Sequence, residues 1–421
     1  MSLTHSTYRA LLGVGLALAV ATPASAGKLF SSTVTMDTVV GREGTNSLLD
    51  VPDFYDTSTL TEINPGFDSS SEGFVGALNL RGVSSFVFFH ASTQSLALSI
   101  PGVLEIGFDE GSLDANMDAL EDWLQGDWNT EEAPQDAVES LLKAWAKNSP
   151  VEPVAGNPNS LMTRMTNADF VLGSEGPFFH SDTPLASAPG QTGVRFDYSY
   201  ANAGDWNMNA YELSIDHRFN FKSLPNLSAI VSFPVAGTET EGQWTGMGSL
   251  GVGVQYRPTE RWSITPMVRT GVVGSLDVGA AAVLFSATLN SHAGFSLQEL
   301  YAPLPDIQIG ITNQLGYARS IQDIKIGDFR LDYGLENGIL RNGGYFAGRF
   351  GDSSLGWKLF GTASRWFGDD LYLESYANLG GEVHVLGEID GTPFERLTFA
   401  LAYTGNFGDW DSLSVGLRGR F

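Results

Sequence analysis

The sequence predicts an all-β transmembrane antiparallel barrel of about 12 strands, with 14 as the alternative count, preceded by a small N-terminal α+β region. Three observations predict it: an export leader, long segments of strict apolar/polar alternation in the second half, and a closing strand that ends on an aromatic residue. The 421 residues include 49 glycines, 18 prolines and no cysteine. That composition suits many turns, and it excludes disulfide frameworks, thiolate metal sites and cysteine nucleophiles together. A formal charge of −25, from 48 acidic and 23 basic side chains, argues against nucleic acid as a partner, because counterion release requires basic patches.

Residues 1–26 read as a signal peptide. Arg9 precedes an apolar run from Ala10 to Ala21, and Ala24-Ser25-Ala26 supplies a small-residue cleavage site. The mature chain then begins at Gly27. No later stretch offers the ~18 uninterrupted apolar residues of a membrane helix, so any membrane span has to be made of strands.

From residue 192 to 421 the pattern is that of a barrel. Val194, Phe196, Tyr198 and Tyr200 alternate with polar neighbours, as do Tyr211, Leu213, Ile215, Phe219 and Phe221. The alternation recurs at Leu227 to Val235, which puts Val231 on the apolar phase and Ser232 on the polar one. It recurs again at Leu250 to Tyr256, at Ile307 to Tyr317, at Leu371, Leu373 and Ala377 to Val385, and at Leu397 to Tyr403. Leu224-Pro225-Asn226, Arg257-Pro258-Thr259 and Gly368-Asp369-Asp370 mark turns between them. Segments of about ten residues fit tilted membrane strands better than soluble ones. About thirteen candidates overcount an even-numbered barrel. Either His292–Tyr301 drops out, giving twelve, or Phe170–Phe179 joins, giving fourteen; twelve is the expectation. Gly327-Asp328, where the phase slips between Ile326 and Phe329, reads as a β-bulge.

Alternation alone does not say which face meets lipid. The closing strand does: Leu413, Val415, Leu417, Gly419 and Phe421 alternate with Ser414, Gly416, Arg418 and Arg420. An exported chain ending this way resembles the signal by which outer-membrane barrels are recognised for insertion. The expected partners are therefore the outer-membrane lipid bilayer, the barrel-assembly machinery and periplasmic chaperones. On the polar phase lie Arg195, Asp197, Glu212, Asp216, Arg218, Arg330, Asp332, Glu374, Glu382 and Arg396, with Arg418. They are expected to line the lumen as cross-strand ion pairs rather than as a single-sign surface. Twelve strands enclose a space that side chains, an inserted helix or a plug fill, whereas open pores have ~16–18, so a wide unspecific porin is not expected.

Residues 27–150 read as an acidic α+β region and 151–191 as a linker, with a possible extra strand. Gly27 to Gln191 carry 24 acidic and 6 basic residues. Ser112 is the expected N-cap of a helix bearing Leu113, Met117, Leu120 and Leu124, and Pro134 opens a second with Val138, Leu141, Leu142 and Trp145. Asp56–Glu72 and Asn148–Asn159 read as loops. Asp114, Asp118, Glu121 and Asp122 fall on a solvated helix face and lack the calcium-loop spacing. Asp216-His217, and His90 with Ser92 and Ser95, are the nearest approaches to a catalytic constellation. No supporting motif accompanies them, so no enzyme, cofactor or metal is expected.

The layout of leader, acidic region with two helices, linker Gly156-Asn157-Pro158-Asn159-Ser160-Leu161-Met162 and a barrel closing on Phe421 is similar to the solitary autotransporter-like outer-membrane barrels. The resemblance implies an integral outer-membrane barrel of structural or transport type without a secreted passenger. The alternatives are a small-solute or lipid-type channel and, third, an outer-membrane hydrolase. The acidic region is expected in the periplasm or as a plug in the lumen.

Overall fold

The computed structural model describes residues 27–421 apart from 37–38, 126–132, 175–189, 276–279, 301–306, 322–324, 327–328, 331–332, 352, 387–393, 407 and 409. The leader, Trp128, Asp332 and the Gly327-Asp328 bulge lie outside the described residues.

Phe30–Met36 (β1), Val39–Thr45 (β2), Phe74–Leu80 (β3), Val83–His90 (β4), Ser95–Ile100 (β5) and Leu104–Phe108 (β6) form one antiparallel sheet in the order β2-β1-β3-β4-β5-β6. Their period of two sends Phe30, Val34, Leu78, Val87 and Leu98 to a buried face. Helices Thr57–Ile63 (α1), Leu113–Gln125 (α2) and Ala133–Asn148 (α3) complete this domain. The α2 start matches its sequence signal: the Ala115 N–H donates to Ser112 Oγ at 3.2 Å, Leu113, Met117 and Leu120 are buried, and Asp114 and Asp118 are exposed. The stretch 56–72, read as loop, contains α1. Asp56 caps it by accepting from the Thr59 N–H at 2.6 Å, and a helix of seven residues is too short to display a period. Tyr55 sits under the sheet with its hydroxyl 2.7 Å from that of Ser32. Its ring stacks on Phe74 with centroids 5.4 Å apart, and burial pushes its phenol above the ordinary value.

The second unit is a barrel. Gly190–Ala203 (β7), Trp206–Phe221 (β8), Leu224–Thr240 (β9), Gln243–Thr259 (β10), Trp262–Ser275 (β11), Ala280–Ser296 (β12) and Gln308–Ser320 (β13) follow one another as antiparallel neighbours. Lys325–Ile326 (β14) and Phe329–Arg330 (β15) pair with each other. Glu336–Arg349 (β16), Leu355–Gly368 (β17), Ser375–Leu386 (β18), Arg396–Gly405 (β19) and Trp410–Arg420 (β20) then complete a closed ring of twelve. The seam is between β20 and β7, where Thr192 and Phe421 exchange both backbone hydrogen bonds at 2.8 and 3.0 Å.

The ring has twelve strands, although some segments are placed differently from their sequence reading. Residues 292–296 are the tail of β12, and Leu297–Leu300 is a helical turn (α5). Phe170 to Ser174 lie in a helix, Leu161–Ser174 (α4), rather than in a strand, and the remainder of that candidate, 175–179, lies outside the described residues. Leu371 and Leu373, read on the apolar phase of a strand, belong instead to the loop before β18 and are buried at the barrel mouth.

The phase of the barrel is settled by exposure. Phe196, Leu213, Ile215, Phe233, Leu315 and Leu359 point outward and are exposed, while their strand neighbours Glu212, Ser214 and Ser232 are buried inside. Aromatic residues flank this belt: Tyr211 and Trp244 stack at 6.0 Å near one rim, and Trp262, Phe350 and Phe421 stand exposed near the other. A continuous apolar exterior of this kind is stable only against lipid, and the closed ladder leaves no unpaired edge inside it. The fold is therefore a transmembrane barrel. Val231→Arg, at an outward position, is expected to cost roughly 2–4 kcal/mol of folding free energy in vesicles. Ser232, 1% exposed and under the Arg269 guanidinium, is too crowded to serve as a comparison. Ser414, which lines open lumen, is the better one, and Ser414→Arg is expected to cost far less. Urea-titrated refolding measures both, and equal losses would reverse the assigned phase.

Candidate functional site

The barrel has two distinct mouths. Gly190, Phe421 and the turns at 222–223 and 260–261 lie at one; the turns at 204–205 and 241–242 and the loop 369–374 lie at the other. The N-terminal domain contacts the second mouth. The Gly27 N–H donates to the Asp205 carbonyl at 3.3 Å, Trp206 Nε1 donates to the Lys28 carbonyl at 3.2 Å, and Asn46 Nδ2 donates to the Glu241 carbonyl at 2.7 Å. Lys147 and Asp370 pair at 2.7 Å. That pair is half-exposed and is worth little by itself.

Packing matters more than these surface contacts. The domain core and the inward side chains of this mouth form one apolar cluster, in which Trp145, Leu142 and Val154 join Trp206, Trp366 and Trp410. Between them runs the segment 149–160, irregular in conformation yet buried almost throughout. A buried loop has to place its backbone polar groups. This one does so by pairing the Leu161 and Met162 N–H groups with the Pro153 and Val154 carbonyls at 2.8 and 3.0 Å, and by accepting at Gly156 from the Leu373 N–H at 2.9 Å. Gly156 has φ +96°, and a Cβ there would lie 2.3 Å from the Ala146 carbonyl oxygen, so only glycine fits. Glu152, fully buried, faces Arg81 at 3.6 Å and accepts from the Tyr333 hydroxyl at 2.9 Å.

Below this neck α4 runs inside the lumen. Its 14 residues rise about 21 Å at 1.5 Å each, close to the ~25 Å of a barrel's apolar band. It is enclosed on nearly every side: Leu161, Met162, Met165, Thr166, Ala168 and Phe170 are all buried. The β11 wall makes room at Gly271, where a Cβ would come within 2.8 Å of Met165 Sδ. Asp169 fixes the helix. Its Oδ1 accepts from Arg269 Nε and Nη2 at 2.9 and 2.7 Å, its Oδ2 accepts from Thr288 at 3.0 Å, and both partners of the ion pair are fully buried. On another side Arg164 donates to Glu212 at 2.6 Å. Arg195 bridges the same carboxylate and Asp197. Arg341 lies 5.4 Å over the Phe170 ring and donates to Ser364 and the Tyr376 hydroxyl at 2.8 and 2.9 Å.

The helix packs against β10 to β13 and leaves a cavity of about 240 Å³ along the opposite wall, lined by Arg164, Asn167, Tyr345, Lys358, Asn378 and Arg418 among others. Arg195, Asp197, Glu212, Glu382 and Arg418 line this space, Asp216 lies beside it, and Arg218 is buried in the wall. Arg396 lines a smaller pocket below. Glu374 is not in the lumen: it lies exposed in the loop before β18. The side chains of Arg330 and Asp332 lie outside the described residues. Leu413, Leu417 and Phe421 face outward and exposed, Val415 is half-buried, and Gly419 is covered by Phe394. Asp216 and His217 sit on opposite faces of β8, His217 pairing with Thr192 at 2.8 Å, and His90 is exposed on the N-terminal domain. Among the described residues no cluster of three metal-ligating side chains occurs.

Sequence reasoning missed α4 and its ligands in the wall. The usable signal was an Arg and an Asp five residues apart, Arg164 and Asp169, in a run from Leu161 to Ser174 that contains no proline and no other charged residue.

No protein-family model matches the chain, and no curated protein sequence matches it. Among solved structures, the translocator domain of the autotransporter NalP from Neisseria meningitidis aligns over 61% of this chain and 94% of its own, with 9% identity and a TM-score of 0.44. The beta domain of the Bordetella autotransporter BrkA aligns over 55% and 99%, with 12% identity and a TM-score of 0.42. The KdgM porin, solved with disordered oligogalacturonate, aligns over 54% and 99%, with 10% identity and a TM-score of 0.34. Autotransporter translocators and porins are thus among the barrels this chain is similar to. The fold itself rests on the strand order and register described above.

Removing one partner of the buried pair strands the other. Asp169→Ala is expected to destabilise the folded chain by about 3–5 kcal/mol, while Asp169→Ala combined with Arg269→Met recovers most of that loss. Comparing urea midpoints in vesicles checks it; equal losses in single and double variants would show that the pair does not hold the helix.

Proposed function

We propose that this protein is an integral outer-membrane barrel that holds its N-terminal domain, residues 27–160, at the cell surface, with α4 serving as both tether and lumen plug. One observation carries the reading: the domain and the barrel's chain ends occupy opposite mouths. A barrel whose closing strand presents the insertion signal at Phe421 keeps that terminus on the periplasmic side from which it is assembled. The domain-bearing mouth then faces outward, and α4 is the covalent link through the lumen. The shared apolar core and the buried neck favour a domain that stays attached, a structural or display role rather than secretion of a passenger. The domain is accordingly neither periplasmic nor folded into the lumen in this reading, and α4 alone fills the plug's place.

The cavity beside α4 favours a second reading, a narrow solute path, in which the same helix limits the bore.

Because the chain contains no cysteine, single cysteines report orientation cleanly. Glu62→Cys, exposed on the domain, is expected to react with a membrane-impermeant maleimide on intact cells. Lys222→Cys, exposed in a turn at the mouth of the chain ends, is expected to react only after the outer membrane is permeabilised. The reverse pattern would place the domain in the periplasm.

A further inference from the structure

A polar side chain on a lipid-facing wall needs a partner within the protein or a route to water. Thr270 on β11 donates to the Leu284 carbonyl at 3.2 Å. Ser291 on β12 accepts from Trp262 Nε1 at 2.9 Å, and His217 on β8 pairs with Thr192 at 2.8 Å. Arg319 on β13 and Arg365 on β17 lie one and three residues from their strand ends at the domain-bearing mouth, where a long cationic side chain reaches the interface. Asn313 on β13 and Asn342 on β16 do neither. Both are exposed on the outer wall, they stand directly opposite each other in the ladder, and among the described residues neither side chain has a hydrogen-bond partner.

Their depth closes the route to water. Asn313 stands five residues from the nearer end of β13, and Asn342 six from that of β16. At about 3.4 Å per residue and a strand tilt of ~40°, the nearer end is about 13 Å away in height, half of the ~25 Å apolar band. An asparagine side chain is too short to span that. Ile311, Leu315, Leu340 and Phe346 surround the pair, each about half exposed to the lipid side. Next to it the wall is low: Asn342 is paired in register with Ala363, and Gly344 with Gly361. Small residues of this kind let a second membrane-embedded surface approach the backbone closely.

We propose that the outer face of β13 and β16 is the interface between two copies of this chain in the membrane, with Asn313 and Asn342 hydrogen-bonded to their equivalents in the second copy. Two copies inserted the same way are related by an axis along the membrane normal, so a group at one depth meets its own equivalent at that depth. The asparagine amide carries both donors and an acceptor, which makes the pair self-complementary. Acyl chains offer neither, and an unrelated protein would need its own polar group at this depth, which a second copy has by construction. The size suffices. Four strands, β12, β13, β16 and β17, at ~4.8 Å spacing over the ~25 Å band present about 500 Å² per copy, about 1,000 Å² in all, the lower bound for a specific interface. The inference is independent of which side of the membrane carries the domain.

Because the chain contains no cysteine, a single introduced cysteine couples only to another molecule. At Gly344 a Cβ meets only the Gly310 carbonyl oxygen, at 3.5 Å, so Gly344→Cys fits. In native membranes it is expected to give a covalent homodimer on oxidation with copper phenanthroline. Leu213→Cys, outward on β8 across the ring, is expected to stay monomeric. Equal yields at the two sites, or a product with another protein in place of the homodimer, would overturn the proposal. The asparagines themselves are tested in vesicles by energy transfer between full-length copies labelled at Glu62→Cys, followed against the protein-to-lipid ratio. Asn313→Leu with Asn342→Leu is expected to keep the heat-modifiable folded band and to associate about tenfold more weakly. Association as strong as that of the chain with both asparagines would contradict the assignment. Should the double variant not fold, Asn342→Leu alone carries the test, with an expected loss of about threefold; unchanged association would overturn the proposal equally.

Discussion

One apolar core, shared between the N-terminal domain and the inner wall of a barrel mouth, holds the rest of the structure in place. Trp206, Trp366 and Trp410 turn inward from β8, β17 and β20 and meet Trp145, Leu142 and Val154 of the domain and neck. Each buried tryptophan removes about 150–250 Å² from water, worth roughly 4–6 kcal/mol as an upper bound at 25 cal/mol/Å². The solvent-exposed Lys147–Asp370 pair contributes little beside this. Burial therefore decides where the domain sits, and the polar contacts around the rim set its register.

Everything below the mouth follows from that placement. A chain that leaves the domain through the core of one mouth and must begin β7 at the other has to traverse the lumen, and α4 is the traverse. A helix satisfies its own backbone, which a loop crossing the same space would not do without polar partners along its length. Its side chains then meet two kinds of wall. Against β10 to β13 it packs closely, pinned by Asp169 and Arg269; on the other side it leaves a polar cavity bounded by Arg164, Arg341 and Lys358. The barrel interior thus passes from apolar at the domain-bearing mouth to ion-paired below it, while the exterior remains one lipid-facing belt.

Much of this was legible in the amino-acid sequence because a strand advertises its faces every second residue. Phe196, Leu213, Ile215 and Phe233 declared the lipid face, Ser112 declared the α2 cap, and Leu413 to Phe421 declared the closing strand. The failures share a cause. Leu371 and Leu373 alternate like strand residues but are buried by the neck, a contact between segments more than two hundred positions apart. The helix α4 is covered by wall on most sides, and its one less-buried stripe, Arg164, Asn167, Val171 and Ser174 along the cavity, is too narrow and too mixed in polarity to read as a period, so between Asn157-Pro158 and Gly173 it passed for a linker. Glu374 kept the lumen phase on paper while the chain had already left the strand. In each case a long-range contact overrode the local pattern.

The seating of the domain on the barrel mouth is tested most directly by a short cross-link across it. Lys147 and Asp370 face each other at 2.7 Å from α3 and the loop before β18, and no other cysteine in the chain competes. In native membranes, Lys147→Cys with Asp370→Cys is expected to couple intramolecularly through a short bismaleimide and to shift gel mobility. If both cysteines react singly with maleimide but no cross-link forms, the domain does not rest on this mouth, and the shared core, the buried neck and the luminal path of α4 fail with it.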